Sequence, residues 1–60
     1  INLNILKQLI PRIESKGTIL IISGILNSDK EVLVKVFNDN NRIIKNIYKK
    51  NEWLCFIIEL

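Results

Sequence analysis

Residues 53–60, Trp-Leu-Cys-Phe-Ile-Ile-Glu-Leu, decide how the rest of the chain is read. Alternate positions of a strand point to opposite faces. Trp53, Cys55 and Ile57 therefore share one face, and Leu54, Phe56, Ile58 and Leu60 share the other. Only Glu59 interrupts the apolar character, so the segment reads as a strand inside a sheet. A second such run is Thr18-Ile19-Leu20-Ile21-Ile22-Ser23. It is β-branched, apolar and without alternation, as a strand covered on both faces is. Gly24 follows and suits a turn at the strand's carboxyl end. Arg42 to Lys49 differs. It alternates in part, with Ile43, Lys45, Ile47 and Lys49 on one face and Ile44, Asn46 and Tyr48 on the other. Its lysines are a usual guard on an edge strand.

Helices are expected between and before these strands. Ile5, Leu6, Leu9, Ile10 and Ile13 fall on one face of a helix over 4–14. Pro11 conflicts with an unbroken helix and either kinks it or opens a second short one. Ser15-Lys16-Gly17 ends it, with Gly17 suited to a left-handed cap. Ser28-Asp29-Lys30-Glu31 has the spacing of a capping box. Val32, Leu33, Val36 and Phe37 then repeat the helical spacing. Asn38-Asp39-Asn40-Asn41 stops the second helix.

The order helix–strand–helix–strand–strand constrains the sheet. The short turn Lys50-Asn51-Glu52 makes the last two strands an antiparallel hairpin. A helical connection favours a parallel relation between the first two. Placing the last strand between the others satisfies both. One edge of the Thr18–Ser23 strand is then left open although its composition is that of a central strand. A parallel neighbour is expected there, and with it a larger protein than this piece.

Totals agree. A chain of 60 residues buries only about 60% of the surface it exposes when unfolded. Yet 48% of this one is hydrophobic, so part of that surface is expected to face something outside the piece. The single cysteine, Cys55, and the absence of histidine leave no disulfide framework and no metal site. They fit a reducing, cytoplasmic setting. No apolar run approaches the ~20 residues of a membrane span, and no signal peptide is visible. The start at Ile1 suggests a fragment. The net charge of +3 reads as a solvated lysine-rich surface. Lys45, Tyr48, Lys49 and Lys50 come nearest to a nucleic-acid patch and are read as an edge strand instead.

Lys16-Gly17 before the first strand, Ile22-Ser23-Gly24-Ile25-Leu26 after it, and Asn51-Glu52-Trp53 opening the last strand resemble the PrmA-type ribosomal protein lysine methyltransferases. The resemblance covers nearly the whole chain. It implies the closing half of a Rossmann-like, α/β methyltransferase fold, with residues 1–60 as the C-terminal part of the catalytic domain. It implies transfer of a methyl group from S-adenosylmethionine to amino groups of a large-subunit ribosomal protein. The donor-binding half would lie before this piece, so the piece alone is not expected to be catalytic.

Three residues are candidates for the substrate side. Asn4-Ile5-Leu6 matches an active-site motif of that family in letters, although the distance to Gly17 is several residues short. Asn4 is otherwise a helix N-cap. Ser23 and Gly24 sit at the carboxyl end of a strand, where open α/β sheets build their sites; otherwise they form a tight turn. Ser23 has no histidine to activate it as a nucleophile. Trp53 reads as a cap over the core, and Cys55 as a packing residue. The competing reading is a small α/β interaction module that self-associates through its open sheet edge.

Overall fold

The computed structural model describes residues 2–14 and 16–60. Helix α1 spans Leu3–Leu9 and runs into a 3-10 turn, Ile10–Arg12. Strand β1 (Ile19–Leu26), a second 3-10 turn (Asn27–Asp29), helix α2 (Lys30–Asp39), and strands β2 (Ile43–Lys50) and β3 (Trp53–Glu59) follow. The sheet order is β1-β3-β2, with β3 antiparallel to both neighbours. The last strand is therefore the inner one, as its uninterrupted apolar sequence requires.

Leu54, Phe56 and Ile58 alternate into the core, while Cys55 and Ile57 are half-buried on the other face. Phe56 meets Phe37 of α2 with ring centroids 5.8 Å apart and tilted by 38°, a favourable aromatic geometry. Ile10, Leu33 and Ile22 complete the same cluster with Ile25. Every fully buried side chain thus comes from α1's extension, α2, or the sheet face that these helices cover.

Two strands depart from simple alternation. In β1, Ile22 pairs with Phe56 and Ile25 with Leu54, so Ser23 and Gly24 oppose a single residue. Gly24 takes φ +76°, a conformation glycine adopts without Cβ strain. The glycine is a bulge inside the strand and not the turn that ends it. The inserted residue keeps Ile25 facing the core, 3% exposed. In β2, Ile44 pairs with Ile58 and Asn46 with Ile57, leaving Lys45 as the extra residue. This bulge reverses the expected facing: Ile44 and Ile47 turn inward together, and Ile43 goes outward with Asn46 and Tyr48.

The helices also start differently from expectation. Asn2, not Asn4, caps α1: its Oδ1 accepts from the backbone N–H of Asn4 at 2.9 Å and of Ile5 at 3.4 Å. The apolar stripe of α1 is narrower than the spacing implies, since Ile5 and Leu9 stay about half exposed. Pro11 opens the second short helix, where its missing N–H costs nothing. Gly17 has φ +85°, but in the loop entering β1, where its N–H reaches the Leu60 carbonyl. The expectation for Ser15 lies outside the described residues.

No capping box forms at α2. The turn Asn27–Asp29 leads in, and the Lys30 N–H bonds the Asn27 carbonyl, so backbone replaces the side-chain caps. Val32 is left 41% exposed. The helix stops at Asn40 and Asn41, the latter at φ +58°. Arg42 then ties the two helices together, donating from its guanidinium to the carbonyls of Ile10 and Ile13.

Candidate functional site

The β1 bulge, the end of β2 and the start of β3 enclose an open depression of about 210 Å³. Ser23 and Gly24 form one wall, Tyr48 and Lys50 another, and Trp53 and Cys55 lie between. The local causes are distinct. The bulge pushes the Ser23–Gly24 backbone out of the ladder. The two-residue turn at Asn51 (φ +56°) and Glu52 pairs Lys50 with Trp53. The N–H of Asn27 bonds the Glu52 carbonyl at 2.8 Å, fastening the hairpin to the end of β1.

The sequence-read pair Ser23 and Gly24 therefore does meet other polar and aromatic groups in one place. Asn4 does not line this depression. It lies exposed in the first turn of α1, a helical setting and not a strand end. Trp53 does not cap the core. It stands 49% exposed on the face away from the helices, and Tyr48 is 59% exposed on the same face. The alternation of β3 already separated Trp53 from Phe56. What the alternation alone omits is that both helices cover the Phe56 side.

The depression has apolar and aromatic walls, two hydroxyls (Ser23 and Tyr48) and two ammonium-bearing side chains (Lys49 and Lys50), with no carboxylate among its lining residues. It can hold and orient a group, and it contains no acid–base pair. A larger concavity of about 500 Å³ runs along α2 between Lys30, Glu31, Lys35 and Asp39. It is the charged outer surface of a helix, with the exposed Lys35–Asp39 pair at 2.7 Å, and it concentrates no chemistry. Among the described residues there is no group of three metal-ligating side chains, and no helix is long and apolar enough to cross a membrane.

A nucleotide-type donor requires backbone N–H groups presented by a glycine-rich turn at a helix start. Gly17 and Gly24 are the only glycines, and neither opens a helix: one enters β1 and the other lies within it.

No family model matches the chain, and no solved structure matches it. Among curated proteins, the ribosomal protein L11 methyltransferase of Prochlorococcus marinus (strain MIT 9515) is 37% identical over 85% of this chain. The aligned region is 18% of that protein, so the chain spans under a fifth of its relative's length. The resemblance to the ribosomal protein L11 methyltransferases is therefore shown by sequence, and the chain corresponds to a small part of that protein's length.

Proposed function

We propose that the chain is the C-terminal part of a Rossmann-like, S-adenosylmethionine-dependent protein N-methyltransferase that acts on ribosomal protein L11 in the cytoplasm. The observation that carries this reading is the inner position of β3, antiparallel between β1 and β2, joined to the sequence relationship over 85% of the chain. In this reading the donor-binding half belongs to the rest of the protein. The piece's own contribution is on the acceptor side. Ser23 and Gly24 shape the wall of the depression, while Asn4 lies away from it in the first turn of α1. Ser23 and Gly24 act neither as acid nor as base; they position the group that receives the methyl.

The test is a chimera. The segment of the Prochlorococcus relative that aligns with this chain is replaced by residues 1–60. Transfer of radiolabelled methyl from S-adenosylmethionine to purified L11 is then followed. Methylation of L11 by the chimera is the expected result. A folded chimera that binds S-adenosylmethionine and leaves L11 unmethylated refutes the reading.

A further inference from the structure

The depression at the β1 bulge carries charge of one sign. Lys49 and Lys50 line it, no carboxylate does, and Glu52 in the adjoining turn stays outside it. The ion pairs among the described residues join Lys35 to Asp39 and Lys45 to Glu59, so neither Lys49 nor Lys50 is neutralised by one. Elsewhere the signs are mixed. Along α2, Lys30 and Lys35 are interleaved with Glu31 and Asp39.

Aromatic groups stand beside these cations. Lys50 pairs with Trp53 and Tyr48 with Cys55 across the β2–β3 ladder, which puts directly opposed Cβ atoms about 4.5–5.5 Å apart. Tyr48 and Lys50, alternate residues of one strand, share a face. Trp53 and Tyr48 are 49% and 59% exposed, so their rings are open to a ligand. Ser23 and Gly24 close the opposite side, across β3. Two strand spacings, about 10 Å, separate that side from β2. About three residues of extended chain cover the same distance.

An occupant of this depression meets different chemistry at its two ends. At the β2 end a cation is repelled by two ammonium groups, and no carboxylate compensates. A carboxylate there gains charge-assisted hydrogen bonds, and an aliphatic stem behind it packs on the rings. At the β1 end stand the Ser23 hydroxyl and the Gly24 backbone, without charge and about a Debye length from the lysines. We infer that Lys50, supported by Lys49, is a specificity-determining residue: it selects acceptor segments that carry a carboxylate about three residues from the amino group. The amino group then lies toward Ser23, and the stem between lies on Tyr48 and Trp53. This rests on the proposed function for the acceptor being a protein amine.

The test measures steady-state methylation of purified L11 by the chimera. Lys50→Glu is expected to raise KM for L11 about tenfold or more and to change kcat by less than about twofold, as loss of a contact made equally before and during the reaction does. Lys50→Arg keeps the original KM, and Lys30→Glu, the same charge change on α2, leaves both constants unaltered. A second arm needs no turnover. The nitrogen-15-labelled 60-residue chain is titrated with acetyl-Lys-Ala-Ala-Glu-amide and with its glutamine counterpart. Amide shifts are expected at Tyr48, Lys50 and Trp53, with the glutamate peptide bound about threefold or more tighter and Lys50→Glu abolishing the preference. An active chimera whose KM ignores Lys50→Glu, equal effects of Lys50→Glu and Lys30→Glu, or equal binding of the two peptides overturns the inference and leaves the proposed function standing. An oligouridylate that shifts the same amides at lower concentration than the glutamate peptide also overturns it, and marks a nucleic-acid surface. A folded, inactive chimera with the peptide preference intact refutes the proposed function and leaves the carboxylate preference standing.

Discussion

Phe56→Ala against Ile21→Ala is the sharpest measure of the one-sided sheet. The two positions are on adjacent paired strands: Phe56 faces Ile22, the neighbour of Ile21. Phe56 is fully buried and Ile21 is 64% exposed. Removing a buried phenylalanine side chain costs about 3–5 kcal/mol, including the cavity it leaves. The contact with the Phe37 ring at 5.8 Å accounts for about 0.5–1.5 kcal/mol of that. A domain of this size has a total stability of about 3–9 kcal/mol, so Phe56→Ala removes roughly a third or more of it. Ile21→Ala forgoes only the minority of its surface that is buried, costing about 1 kcal/mol or less. Urea unfolding followed by circular dichroism at 25 °C reads both. With a slope of about 1 kcal/mol/M for a small domain, the Phe56→Ala midpoint falls by about 3 M or the variant is unfolded in buffer. Phe56→Leu gives a measurable intermediate of about 1–2 kcal/mol. An Ile21→Ala loss equal to that of Phe56→Ala refutes the placement of the core on the helix side.

Three further substitutions test local features. Asn2→Ala removes the cap that accepts from Asn4 and Ile5 and lowers stability by about 1 kcal/mol; Asn4→Ala at the same end changes it by under about 0.5 kcal/mol, and urea midpoints that rank the pair the other way show Asn4 to be the cap. Gly24→Ala forces a Cβ onto a left-handed residue (φ +76°) and costs about 1–2 kcal/mol, whereas Ser23→Ala beside it is near neutral; equal thermal shifts count against the bulge. Arg42→Met strands the Ile10 and Ile13 carbonyls and costs about 1–3 kcal/mol, with faster hydrogen exchange expected at the Ile13 amide; an unchanged exchange rate there shows that the guanidinium does not hold the loop.

The sheet order was legible because it depends on composition summed over whole strands. Six apolar residues in β3 and a lysine-rich β2 distinguish inner from edge whatever the exact register. Facing was less legible, because a single inserted residue inverts it. In β2 the bulge falls at Lys45, where no glycine or proline marks it, and the inward pair became Ile44 and Ile47. In β1 a glycine did mark the site, but a glycine after an apolar run fits a turn as well as a bulge; Ile25, buried beyond it, decides for the bulge. The capping-box pattern failed for another reason. It specifies side-chain partners for N–H groups, and the Asn27–Asp29 turn supplies backbone ones. At the candidate site, Ser23 and Gly24 were singled out as following a strand, but they lie inside β1 at its bulge, because pairing resumes at Ile25. The exposure of Trp53 depends on which face two helices choose, and that choice is made by the whole sheet.

The outward face also bears on whether 60 residues make a complete structural unit. An antiparallel sheet that meets water on one side shows polar residues at its outward positions. Here β1 turns Ile19 and Ile21 outward, β3 Trp53, Cys55 and Ile57, and β2 Ile43 and Tyr48. Polar groups are the minority there: Asn46 beside Ile57, Ser23 at the bulge, Lys45 and Glu59 3.8 Å apart near one end, and Lys50 at the other. The helix side follows the opposite rule, with Lys30, Glu31, Lys35 and Asp39 on the outside of α2 and nothing polar fully buried beneath it. Charged residues thus cover the helix side, whereas apolar residues predominate on the outward sheet face. A chain short of apolar residues could not show this contrast, and neither could one with a loosely formed core. The pattern supports the proposed reading of the chain as one part of a larger protein, with the Ser23–Gly24 bulge and Trp53 on the apolar face. Under the proposed function, a depression on that face takes its final shape from both parts, so acceptor positioning is to be assayed in the assembled protein and not in this segment alone.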